Sequence, residues 1–309
     1  MKLFSTFLYL ALLLMLTSCT QESPPLETQK WFDLHLVSTD LPLEPAPRWG
    51  TPAMADFDRD GDLDFALSVT RGPLLWFEYL GDHQWQKHEI GEMPTGQLGG
   101  GAFDVDGDGW PDIVLVGRWY RNEGEGKNWS RQFLPYGSAG YWGLSGRSWI
   151  VDMDKDGDND IVMVGCDQVD SRGAWLENNG RDNPRFTVRL LPLTAPGRRG
   201  SFHSLWVADF DLDGDPDIFT MEQEDDQILP QEATMRAFLW ENADGKGGQF
   251  LEHVVLDQNI GGHDVQFGDA DGDGDLDAYF KVWEALPSNA YGGKPHVNFL
   301  ENRSARKEN

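Results

Sequence analysis

The chain has 309 residues, 39% of them hydrophobic, enough for one large domain or two ordinary ones and too apolar for a disordered chain. Thirty-five glycines, 13 tryptophans and 17 phenylalanines point to a turn-rich, aromatic-rich β protein. Lys+Arg 25 against Asp+Glu 52 leaves a formal charge of −27, which repels phosphate backbones and excludes nucleic acid as a partner.

The N-terminus reads as a processing signal. Lys2 precedes a mostly apolar run from Phe4 to Leu16, too short for a stable bilayer span and of signal-peptide length. It ends in Leu16-Thr17-Ser18-Cys19, which resembles a bacterial lipobox, so residues 1–18 are expected to be cleaved and Cys19 lipidated. Residues 19–30, with Pro24 and Pro25, then form a tether. Thr20 is not the aspartate that resemblance links to inner-membrane retention, which favours an outer-membrane lipoprotein held to the membrane by its lipid alone. Cys166 then has no disulfide partner and is expected to be a buried thiol.

One loop follows in five copies. Residues 56–64 place Asp56, Asp58, Asp60 and Asp64 at loop positions 1, 3, 5 and 9, with Gly61 at position 6. The pattern returns at 104–112 (Asp104, Asp106, Asp108, Asp112) and at 152–160 (Asp152, Asp154, Asp156, Asp160). It returns again at 209–217 (Asp209, Asp211, Asp213, Asp217) and at 269–277 (Asp269, Asp271, Asp273, Asp277). Alternate carboxylates on a tight turn converge on one point and offer the hard-oxygen shell that Ca²⁺ prefers. Without a cation they repel one another. These loops are therefore expected to bind up to five structural Ca²⁺ ions. A helical EF-hand needs an acid at position 12, and Leu67, Leu115, Met163, Thr220 and Phe280 stand there.

The first aspartates lie 48, 48, 57 and 60 residues apart, a spacing typical of propellers and solenoids. Each period holds four strand-like pieces. One enters the loop, as in Ser148-Trp-Ile-Val-Asp152, and one leaves it, as in Ile161-Val-Met-Val164. The third reads Trp76-Phe-Glu78, Trp119-Tyr-Arg-Asn122, Trp175-Leu-Glu-Asn178, Leu239-Trp-Glu-Asn242 and Phe299-Leu-Glu-Asn302. The fourth begins at Trp85, Trp129, Phe186 and Phe250. Four-stranded units in radial repetition define a β-propeller. The fifth unit has no fourth piece after Asn302, and Phe32-Asp-Leu-His35 at the front has the matching pattern. The expectation is an all-β, five-bladed propeller of antiparallel blades over residues 31–302, closed by an N-terminal strand that completes the last blade, with 303–309 as a tail.

The Asp-x-Asp-x-Asp-Gly-x-x-Asp loops with apolar strands behind them resemble FG-GAP/VCBS repeats, as in the integrin α-subunit propeller. The resemblance implies a calcium-stabilised propeller in which the matching loop aspartates carry the metal. Familiar members usually have seven blades, where five are counted here.

On the face opposite the loops, long connections at 166–173, 221–236 and 283–296 gather polar and aromatic residues, and function often lives in such loops. The expected ligand residues are Trp49, Arg118, Tyr141, Trp142, Arg147, Glu222 and Trp283, an ionic and aromatic rim suited to a glycan. His203 and His263 enter the inner strands of blades 4 and 5. As a base pair beside an arginine they would suit polysaccharide lyase chemistry, and as interblade hydrogen-bonding groups they would be structural. The leading expectation is a non-enzymatic cell-envelope protein that binds a glycan, or else a protein partner. The alternative is a polysaccharide-degrading lyase or glycoside hydrolase using His203 and His263.

Overall fold

A computed structural model describes residues 35–42, 49–69, 72–92, 100–115, 117–136, 148–166, 170, 172–180, 184–197, 200–223 and 235–305. The chain divides into a unit over Met1–Leu36 and a second over Val37–Asn309. The expected signal segment and tether, with Cys19, and Phe32–Leu34 lie outside the described residues, and His35, Leu36 and Val37 belong to no strand.

The second unit is a five-bladed β-propeller with no helix among its described residues. Blade 1 is β1 (Trp49–Ala55), β2 (Asp64–Val69), β3 (Pro73–Tyr79) and β4 (Trp85–Glu92). Blade 2 is β5 (Gly100–Phe103), β6 (Asp112–Leu115), β7 (Arg118–Asn122) and β8 (Trp129–Phe133). Blade 3 is β9 (Ser148–Val151), β10 (Asp160–Val164), β11 (Gly173–Asn178) and β12 (Phe186–Leu190). Blade 4 is β13 (Phe202–Ala208), β14 (Asp217–Glu222), β15 (Arg236–Asn242) and β16 (Phe250–Asp257). Blade 5 is β17 (His263–Gly268), β18 (Asp277–Lys281) and β19 (Val297–Leu300). Within every blade the strands pair in chain order and antiparallel. The first strands lie side by side in the order β1, β5, β9, β13, β17, so each is the inner strand of its blade.

The second strands of blades 2 to 4 are apolar on both faces because a blade sits on either side. All of β6, β10 and β14 is buried. Blades 1 and 2 close over Phe57, Trp76, Ile113 and Tyr120, and blades 2 and 3 over Trp119, Ile161 and Leu176. Blades 3 and 4 close over Trp175, Phe202, Phe238 and Trp240, and blades 4 and 5 over Phe219, Val265 and Phe280. In blades 2 to 4 the aromatic that begins the fourth strand packs back onto the preceding blade. Trp129 meets Phe57 at 5.7 Å, Phe186 meets Trp119 at 6.5 Å, and Phe250 joins the cluster of Met153 and Trp175. Blade 5 has no fourth strand among the described residues. At the corresponding place a cleft of about 170 Å³ opens between blades 4 and 5, lined by Phe210, Phe219, Leu239, Phe267 and Leu300.

A polar latch joins successive blades on the loop side. In blades 2 to 5 an asparagine at the end of the third strand, or two residues past it in blade 5, donates its Nδ2 to the carbonyl of loop position 2 in the blade before. Asn122 reaches Phe57 O (2.7 Å), Asn178 Val105 O (2.9 Å), Asn242 Met153 O (3.3 Å) and Asn302 Phe210 O (2.9 Å). Blade 1 has Tyr79 at this position; its hydroxyl turns to the His83 amide and its ring packs on Trp85. Replacing Asn242 by alanine orphans the buried Met153 carbonyl and the Gly247 amide, which donates to Asn242 Oδ1. Each unsatisfied group costs about 1–3 kcal/mol, so with two of them Asn242→Ala is expected to lose about 2–6 kcal/mol in denaturant titration, and a loss under about 0.5 kcal/mol would show that the latch does not hold the blades.

Candidate functional site

Each acidic loop is a turn wound around its own carboxylates. Position 4 is left-handed in all five, at φ 60° for Arg59, 72° for Gly107, 61° for Lys155, 65° for Leu212 and 81° for Gly272. Position 6 has φ between 91° and 106° in all five, a conformation that L side chains avoid, which is why glycine stands there. The first aspartate accepts the glycine amide, as in Gly61 to Asp56 at 3.1 Å and Gly109 to Asp104 at 2.8 Å. The fifth-position carboxylate accepts the amide two residues on, as in Asp62 to Asp60 and Asp158 to Asp156. These bonds turn one side of each carboxylate to the backbone and crowd the remaining oxygens together.

In each loop three aspartates bring one oxygen apiece within 4.8 Å of the others. The groups are Asp56, Asp58 and Asp64; Asp104, Asp106 and Asp108; Asp152, Asp154 and Asp160; Asp209, Asp211 and Asp213; and Asp269, Asp271 and Asp273. An all-carboxylate donor set of this kind suits a hard divalent cation. Burial raises the pKa values of Asp58, Asp154 and Asp211, and mutual repulsion adds to it.

The ninth-position aspartates also brace the fold. Each bridges two backbone amides, one from loop position 2 and one from the end of the third strand. Asp160 accepts Met153 N at 2.9 Å and Asn178 N at 2.7 Å, and Asp64, Asp112, Asp217 and Asp277 do the same in their blades. Burial outweighs those hydrogen bonds and pushes Asp64 up to about 6 and Asp112, Asp160 and Asp217 up to about 7. In the metal-free fold these four carboxyls hold protons that they release on unfolding between pH about 4 and about 7. Stability in EDTA is therefore expected to decline as pH rises through that window, giving a lower melting temperature at pH 7.5 than at pH 5. His263, whose pKa burial lowers from 6.5, works in the opposite direction, one group against four. An EDTA melting temperature that rises from pH 5 to 7.5 would contradict this account.

On the opposite face, the ends of β13, β17 and β18 bring a second group together. His203 and His263 lie with ring centroids 5.1 Å apart, and Trp283 stacks on His263 at 5.0 Å. His263 Nδ1 contacts Asp264 Oδ2 at 2.7 Å, Lys281 Nζ lies 3.3 Å from the same oxygen, and Lys281 also stands 5.6 Å from the Trp283 ring centre. His203 is 9% exposed and Trp283 60%, so the cluster runs from a buried imidazole to an open aromatic face. Asp264 sits at φ 55°, a left-handed turn within β17 that coincides with the break in its pairing between His263 and Gln266.

Of the other expected ligand residues, Glu222 and Arg118 have side chains engaged elsewhere. Glu222 is fully buried, and its carboxylate accepts Arg236 Nε and Nη2 at 3.1 Å each, with the Gly200 and Arg236 amides also donating. Arg118 lies over the Phe133 ring in blade 2. Trp49 begins β1, and Tyr141, Trp142 and Arg147 lie outside the described residues. Cys166 is buried at 2% exposure. The latch asparagines were visible in the sequence as the last letter of each third piece, but pattern alone gave no sign that they reach the neighbouring blade.

Repeated acidic loops on the edges of four-stranded blades define a class of repeat propeller. The chain belongs to the FG-GAP-like repeat family, whose repeat matches residues 56–115, 104–163 and 152–220, more than half of the chain. No curated protein matches it in sequence. Among solved structures it is similar to a rhamnogalacturonan lyase of Bacillus licheniformis (17% identity, TM-score 0.49, 84% of this chain and 50% of that one). It is also similar to a biofilm matrix protein of V. cholerae (17%, 0.47, 83% and 37%) and an α-L-arabinofuranosidase from Lactobacillus brevis (11%, 0.37, 81% and 89%). The chain thus spans half or less of the length of the first two.

Proposed function

We propose that this is a calcium-stabilised propeller of the bacterial cell envelope, anchored through Cys19, that binds a glycan on the face opposite its acidic loops without transforming it. The observation that carries the reading is the cluster of His203, His263, Asp264, Lys281 and Trp283. An exposed indole backed by an imidazole offers a flat apolar surface for a sugar ring. The neighbouring ammonium and carboxylate supply the few directed polar groups that fix orientation in such sites. Calcium in this reading is structural: bound by the folded loops alone, it stabilises by mass action.

A second reading, uronate lyase chemistry, draws on His263 itself. Burial lowers its pKa, so the imidazole is neutral at neutral pH. With Nδ1–H donating to Asp264 the lone pair falls on Nε2, the arrangement a general base needs.

One experiment separates the two. The soluble form beginning at residue 20, in calcium, is incubated with neutral and acidic polysaccharides while binding and the ultraviolet absorbance of unsaturated uronate ends are followed together. Binding without new ends, weakened about tenfold by Trp283→Ala (about 1.4 kcal/mol), is the expected result. New ends that vanish in His263→Ala would make the protein a lyase, and neither signal would defeat the glycan reading.

A further inference from the structure

The five loops are alike in outline and unlike in charge. Loops 1, 3, 4 and 5 each have a fifth aspartate at position 7, namely Asp62, Asp158, Asp215 and Asp275, where loop 2 has Trp110. The third strand adds one more acid beside each of those four loops, in the residue next to the latch position: Glu78, Glu177, Glu241 and Glu301. At that place blade 2 has Arg121. Four loops therefore gather six acids apiece, whereas loop 2 gathers four acids and one fixed cation.

The structure shows where that cation goes. Arg121 Nε lies 2.5 Å from Asp106 Oδ2, a charge contact not aligned as a hydrogen bond, and Nη2 donates to Asp108 Oδ2 at 3.1 Å. These are the third- and fifth-position carboxylates, two of the three that converge in loop 2. Asp106 is 1% exposed, so its charge is met by the guanidinium in a setting where water screens little.

The fourth strand changes in step. In blades 1, 3 and 4 the glutamate is drawn across the sheet to a base: Glu78 to His88 at 2.6 Å, Glu177 to Arg189 at 2.8 Å and Glu241 to His253 at 2.7 Å. The matching fourth-strand residue of blade 2 is Gln132, whose amide turns to Ser130. Blade 2 has exchanged both members of the pair, and its arginine points at the loop.

We propose that loop 2 is not a calcium site: Arg121 occupies its carboxylate cluster as a built-in cation, and the protein binds four calcium ions, in loops 1, 3, 4 and 5. This rests on the calcium reading of the other loops. A dication among Asp104, Asp106 and Asp108 would have to displace the guanidinium or sit against it, with two fewer carboxylates to hold it than in any other loop.

The test is a count of bound calcium, by atomic emission after gel filtration in calcium and by calorimetric titration of the chelated protein. The wild type is expected to hold four ions per chain. Arg121→Glu restores the six-acid composition less its position-7 acid and is expected to hold five, the extra ion being lost again when Asp104→Asn is added. Arg121→Gln serves if the glutamate variant fails to fold; it too should gain an ion, and in EDTA it should melt below the wild type because loop 2 has lost its internal counter-charge. Five ions in the wild type, or no gain in either variant, would overturn the assignment while leaving calcium binding intact. No bound calcium in the wild type would overturn the calcium reading on which it rests.

Discussion

The arrangement of this propeller depends on a buried carboxylate that must satisfy two backbone amides at once. The ninth aspartate of each loop ties loop position 2 to the end of the third strand of its own blade. In blades 2 to 5 the asparagine at that strand end then reaches the carbonyl of the same loop position one blade earlier. Loop, blade and neighbour are thereby joined through one residue, its N–H and C=O turned to different blades. Apolar packing supplies the bulk of the adhesion between blades, but it is non-directional, and the latch sets their register.

The acidic loops carry a cost that the fold meets in two ways. Four of them concentrate carboxylates with no basic side chain from the third strand, and in blades 1, 3 and 4 only the glutamate beside the loop is paired, across the sheet to the fourth strand. The second recruits Arg121. Repeats that share a backbone thus differ in how their charge is balanced, and a single residue beside the asparagine decides which way.

Much of this was legible in the sequence because a repeat states its rule several times. The loops, the four strands of each complete blade and the missing strand of the fifth follow from aspartate spacing and apolar runs, and the observed fourth strands begin where the fourth pieces do, at Trp85, Trp129, Phe186 and Phe250. What spacing does not carry is direction. Asp64 and Asp160 look like ligands by position, and only coordinates show both of their oxygens engaged with backbone amides. Glu222 looks like a rim residue by topology, yet it is drawn inward because Arg236, fourteen residues later at the start of β15, donates to its carboxylate from both backbone and side chain. His203, His263 and Trp283 could be grouped from the repeat register, since all three lie at equivalent ends of adjacent strands. The turn at Asp264 that completes their cluster depends on a local break in pairing that no composition rule anticipates.

The latch also has a sense of direction. Every asparagine reaches back to a loop earlier in the chain, and Tyr79 in blade 1 has no asparagine side chain with which to reach. A chain that emerges N-terminus first therefore never waits for a later partner to complete a latch: each new blade finds its acceptor already present, and the first needs none. Assembly can proceed as vectorial addition, one blade docking onto the last.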